Sequence, residues 1–177
     1  MRTFNSFLAC ITSALFIYHS LSMSLFLMGM LPFSPIRKQL GWVLLALMLV
    51  HGVISLLLMI RTGGRYSYVK ENFGVHLQRI LGILAVCLLP LHLGAFGHFD
   101  PTLGKYVITT PTAGMFLIQS LFTLVYVIHF MISTPKIMVS AGIITDERRK
   151  KGFFIGGTLF GLAVGVLAIS AFGIYCF

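Results

Sequence analysis

The stretch His76-Leu-Gln-Arg-Ile-Leu-Gly-Ile-Leu-Ala-Val-Cys-Leu-Leu-Pro-Leu-His92 opens on polar and basic residues, runs apolar far enough to enter a bilayer, and then presents an imidazole. Desolvating that ring among Leu, Pro and Gly is costly, so an ionisable side chain there marks a candidate functional site. Three further apolar segments each carry a histidine of the same kind: His19, His51 and His129.

The rest of the composition agrees with a membrane setting. The chain is 58% hydrophobic and only 10% charged, with a mean hydropathy of +0.97. A soluble domain of 177 residues has too little polar side chain here to cover its surface. Lipid offers backbone N–H and C=O groups no partners, so only helices or closed barrels span it. Continuous apolar runs without two-residue alternation exclude the barrel. An all-α membrane protein with five transmembrane helices is expected, as a single domain over 1–177. The spans fall at about 6–30, 39–60, 75–96, 112–133 and 153–176.

A net charge of +9 is ordinarily a cue for nucleic acid, but the basic residues cluster at segment ends. Of thirteen Lys and Arg, ten fall on one side of the expected membrane and three (Arg37, Lys38, Lys105) on the other. The positive-inside rule then puts the N-terminus in the cytoplasm and the C-terminus outside. The expected loops are short, so chemistry in the aqueous phase falls to other chains. Cys10, Cys87 and Cys176 form no C-x-x-C pair, which argues against zinc, iron–sulfur and covalent c-type haem sites.

Four imidazoles on four helices suit two haems with paired histidine ligation, because haem iron binds imidazole readily. His92 lies about 9 Å beyond the middle of an outward-running span, and His129 lies similarly far past the middle of an inward-running one. Those two cannot share an iron, so each needs a partner nearer mid-membrane; depth alone does not say which of His19 and His51 goes with which. Glycine stands ten residues before a histidine twice, Gly41 before His51 and Gly82 before His92. Such glycines suit either a flat macrocycle or a helix–helix contact.

With these residues in hand, the chain resembles the dihaem cytochrome b membrane subunit of succinate:quinone oxidoreductases and quinol:fumarate reductases, the single-subunit, five-helix type. The resemblance is carried by the four histidines, by Gln78-Arg79-x-x-Gly82 ahead of His92, by Gly142-Ile-Ile-Thr-x-x-Arg148-Arg149 before the last helix, and by Asn5-Ser6. It implies a four-helix haem-binding bundle in which His19 and His92 hold a distal haem b and His51 and His129 a proximal one. Ser6, Arg79 and Lys136 become candidates for the proximal propionates. Gln39, His98 and Asp100 become candidates for a quinone, expected to be menaquinone.

The implied role is a membrane anchor and electron carrier in the bacterial cytoplasmic (inner) membrane. Its partners would be an iron–sulfur subunit and a flavoprotein subunit on the cytoplasmic side, docked near loops 61–72 and 146–151, with no residue here acting on the dicarboxylate. Two departures touch the quinone site and proton movement. No acid occupies the start of the second helix, Pro35-Ile-Arg37-Lys38-Gln39, and Val127 stands where some members carry a glutamate. The alternatives are a dihaem anchor for a different flavin-dependent reductase, and a haem-free transporter or scaffold.

Overall fold

The computed structural model describes residues 2–61, 73–94, 98–103, 105–107, 112–140 and 142–177. Among them are five long helices: α1 (Arg2–Leu27), α2 (Pro35–Arg61), α3 (Phe73–Gly94), α4 (Ala113–Ser140) and α5 (Glu147–Cys176). Each is long and apolar enough to cross a membrane. Much of their apolar surface faces outward, including Phe4, Trp42, Val53, Ile80, Leu117 and Val166, as a lipid-facing surface requires. Between α3 and α4, strands β1 (His98–Asp100) and β2 (Lys105–Val107) pair antiparallel, with Asp100 opposite Lys105. Most of the basic loop 61–72 lies outside the described residues.

Several helix ends differ from expectation, each for a local reason. Gly29 and Gly142 have φ of +74° and +72°. Glycine takes that left-handed turn without a Cβ clash, and chain-reversing hydrogen bonds follow: Met30 N to Leu25 O at 2.9 Å, and Ile143 N to Met138 O at 3.0 Å. α1 therefore stops at Leu27, before the prolines. α4 runs through Pro135, which was expected to follow the helix but is buried inside it. Proline has no N–H to give to the turn before it, and in that turn the Thr134 hydroxyl donates to Phe130 O at 2.8 Å. α2 begins at Pro35, where proline's fixed φ suits a first turn, so Arg37, Lys38 and Gln39 are helical. The charged run expected in a loop is the first turn of α5. Asp146 caps it by accepting from Arg149 N at 2.7 Å, and Glu147 complements the helix dipole.

Packing leaves an internal slot. α1 lies against α2 and α5, and α4 lies against α3 and α5, while α2 and α3 scarcely touch. The shared core is drawn from α1 to α4: Phe16, Leu44, Leu81, Ala85, Leu88, Leu89, Phe122, Val125 and Tyr126. Phe16 stacks on Tyr126 with ring centroids 3.7 Å apart, tying α1 to α4. α5 holds the bundle from behind through small residues. A Cβ on Gly161 would lie 3.1 Å from Met131 Cγ, and one on Gly165 would lie 3.2 Å from Val127 Cγ2. Close backbone approach of this kind supplies van der Waals contact where no hydrophobic effect drives helices together in lipid.

Gly165→Leu is therefore expected to push α5 off α4, destabilising the fold by about 1–3 kcal/mol, the usual range for overpacking. Thermal unfolding of the purified protein in detergent checks this: the midpoint should fall for Gly165→Leu and stay near wild type for Leu at Gly156, which has open space around it.

Candidate functional site: two imidazole pairs on two levels

The helices alternate in direction, so one end of the bundle collects the α1, α3 and α5 N-termini and the α2 and α4 C-termini. This is called the basic end here, because Arg61, Arg79, Lys136 and Arg148 to Lys151 lie near it. The opposite end carries the β1–β2 hairpin, Arg37 and Lys38.

The four histidines meet in twos. His92 lies within electrostatic reach of His19, and His129 within reach of His51. Among the described residues no three or more His, Cys, Asp or Glu side chains converge, so the arrangement is paired.

Glycine seats two of the rings. A Cβ on Gly41 would stand 3.3 Å from His19 Cε1, and a Cβ on Gly82 would stand 3.2 Å from His129 Cε1. The imidazole of α1 thus lies against the bare backbone of α2, and that of α4 against the bare backbone of α3. Both glycines precede a histidine of the other pair by ten residues, which at 1.5 Å per residue separates the levels by roughly 15 Å. The repeated Gly-to-His spacing is a ruler between the two levels, used once on α2 and once on α3.

Hydrogen bonds orient one ring in each pair. Gln119, only 1% exposed, brings Oε1 to 2.6 Å from His92 Nδ1. Its amide Nε2 approaches His92 O at 3.5 Å. The main-chain carbonyl of Gln78 lies 3.1 Å from His129 Nδ1. A carbonyl only accepts, so both rings carry their proton on Nδ1 and keep the lone pair on Nε2, the tautomer suited to a metal ligand. His92 also stacks on Phe122, with centroids 4.5 Å apart.

The level nearer the hairpin opens into a cavity of about 400 Å³. His19 and His92 line it, with Phe16, Leu44 and Leu89 as apolar wall, and Arg37 and Lys38 also face it. Its size falls within the range of small-molecule and cofactor sites, roughly 300–1,000 Å³. The level nearer the basic end has a polar surround instead. Lys136 Nζ donates to Gln78 Oε1 at 2.6 Å and to Gly74 O at 3.0 Å, and Gln78 Nε2 donates to Ser133 Oγ at 2.9 Å. Asn5 Nδ2 donates to Ser55 Oγ at 3.2 Å, and the His51 ring reaches the Asn5 main chain. His51 Nδ1 and Asn5 Oδ1 are both buried without a hydrogen-bond partner.

The other expected residues fall as follows. Ser6 and Arg79 are half-buried on α1 and α3, towards the basic end. Gln39 is exposed in the first turn of α2 and does not line the cavity. Asp100 spends its carboxylate on its own turn, accepting from Thr102 N at 2.8 Å and Leu103 N at 3.3 Å. His98 opens β1, and its side chain lies outside the described residues. Unanticipated were the Gln119 side chain and the Gln78 and Asn5 main chains as direct partners of the histidines. For Gln119 the available signal was an amide inside an apolar run, which lipid tolerates only where it is paired, whereas a main-chain partner leaves no mark on the residue type.

No protein-family model, curated protein or solved structure matches this chain.

Gln119→Leu removes the side-chain oxygen to which His92 Nδ1–H donates. The expected cost is about 1–3 kcal/mol, seen as a lower thermal midpoint in detergent.

Proposed function

We propose that this chain is the membrane anchor and electron-transfer subunit of a succinate dehydrogenase or fumarate reductase. It would carry two b haems between a membrane quinone and the iron–sulfur and flavoprotein subunits. The observation that carries the reading is the pairing: His19 with His92 and His51 with His129, on two levels of one bundle. A pair of imidazoles beside an apolar cavity, as His19 and His92 are, is the donor set that a b-type haem needs. When bound, haem supplies one-electron redox chemistry, and the protein supplies ligation, orientation and exclusion of water.

Each element of the chain has a task under this reading. Gln119 and the Gln78 carbonyl fix the tautomer of one ring per level and make its Nε2 a better donor. Gly41 and Gly82 let His19 and His129 come close against the neighbouring helix. Lys136, with Arg79 and Ser6 near the same end, is the candidate partner for the carboxylates of the haem held by His51 and His129. The basic end faces the cytoplasm, by the excess of Lys and Arg there, and the first turn of α5 is the docking place for the iron–sulfur subunit. The quinone, menaquinone on this reading, sits towards the hairpin end near Gln39 and His98. Asp100 contributes least, because its carboxylate already serves its own turn. The membrane is the bacterial cytoplasmic one.

The deciding measurement is a reduced-minus-oxidised optical spectrum of the purified protein, expected to show a b-type α-band worth about two haems per chain. Colourless protein rejects the reading and leaves a haem-free transporter or scaffold. Replacing His92 by Ala should remove roughly half of the band, and His19→Ala combined with it should remove no more. A shared phenotype between His92 and His51 instead would break the pairing. A copurifying iron–sulfur subunit and flavoprotein active on succinate or fumarate separates this anchor from one serving another flavin-dependent reductase.

A further inference from the structure

Arg37, in the first turn of α2, lines the cavity that His19 and His92 face. Its guanidinium carbon lies 5.8 Å from the Phe26 ring centroid, and its Nη2 is buried with no hydrogen-bond partner. A buried guanidinium N–H without an acceptor is costly. Among the described residues the cavity lining holds a second cation, Lys38, and no Asp or Glu. A largely apolar chamber into which one buried guanidinium N–H brings no partner of its own suits a ligand that carries the negative charge. The planar fork of Arg37 matches two oxygens of one acid group.

We propose that Arg37 anchors an acidic oxygen group carried by the molecule that fills this cavity. Resting on the electron-carrier reading above, that group is a propionate of the haem held by His19 and His92. Arg37 lies at the hairpin end and Lys136 at the basic end, so the two haems would offer their carboxylates to residues at opposite ends of the bundle. A phosphate of an anionic lipid shares the same chemistry, and the test separates the two. A positive charge beside a propionate favours the more negative, reduced state, so its removal lowers that haem's midpoint potential.

The experiment is an optical redox titration of the intact membrane complex in wild type, Arg37→Gln and Arg37→Lys, with mass spectrometry of copurifying phospholipid. Arg37→Gln should shift the potential of one haem to more negative values and leave the other in place. Loss of that one haem alone supports the same conclusion. Arg37→Lys, which keeps the charge but not the fork, should give a smaller shift of the same sign, and it carries the test if the Gln variant does not assemble. Unchanged potentials in both variants overturn the proposal, and if anionic phospholipid is lost as well, Arg37 belongs to a headgroup. A colourless wild type defeats the electron-carrier reading and this proposal with it. A coloured wild type with insensitive potentials defeats only the proposal.

Discussion

The constraint on which this bundle depends is the seating of polar rings inside an apolar interior. An imidazole removed from water needs both a partner for its N–H and room beside a helix it does not belong to. The structure meets the second need with Gly41 and Gly82, each of which would crowd its ring if it carried a Cβ. It meets the first for His92 and His129 with carbonyl oxygens, one from the Gln119 side chain and one from the Gln78 main chain, and leaves His51 Nδ1 without a hydrogen-bond partner. Because each seating glycine sits ten residues from a histidine of the other level, α2 and α3 set the axial separation by covalent geometry alone. On α4, Gln119 and His129 repeat the interval, with buried Phe122 and Tyr126 filling the span between. Three helices thus impose the same separation.

This seating explains the uneven packing. If α2 and α3 closed on each other, the slot that the rings look into would vanish, and those two helices are the ones that scarcely meet. Cohesion has to come from elsewhere. The Phe16–Tyr126 stack joins α1 to α4 across the middle, and α5 is packed closely along α4 and also against α1. The glycines on the inner face of α5 gather it in tightly because their partners, Val127 and Met131, belong to α4. Val127 shows the logic well. It lies two residues before His129 and is buried against Gly165, on the clamped face of α4.

How much of this could be read from the residues follows from what each feature depends on. The helices and their histidines are local facts: five apolar runs of sufficient length, four of them carrying an imidazole well inside the run. The ends were less legible. Pro135 normally ends a helix, but here it is buried and the helix continues, a choice made by neighbours that a linear pattern does not contain. The Asp146-Glu147 start of α5 was legible in principle as a cap followed by an acid, and the density of charge masked it. Gly41 and Gly82 stood out by their spacing, yet their use could not be read, because the rings they seat sit on other helices. Gln119 was hidden for the same reason: its partner is 27 residues away across a loop.

The two levels differ in how they hold their rings. At the level nearer the hairpin the orienting acceptor is a side chain, Gln119, beside an apolar cavity. At the level nearer the basic end the acceptor is the Gln78 main chain, and the side chains of Gln78, Ser133 and Lys136 are hydrogen-bonded to one another beside it. A main-chain acceptor is insensitive to substitution, whereas a side-chain acceptor can be altered by a single residue. The surroundings differ in the same direction, since polar groups stabilise charge that an apolar wall does not. Two levels, each made from a pair of imidazoles, are therefore given unequal electrostatic environments by one short chain. Burial, hydrogen bonding to the ring and nearby charge are the means by which a protein sets a bound redox centre's potential, so two such sites would not be equivalent.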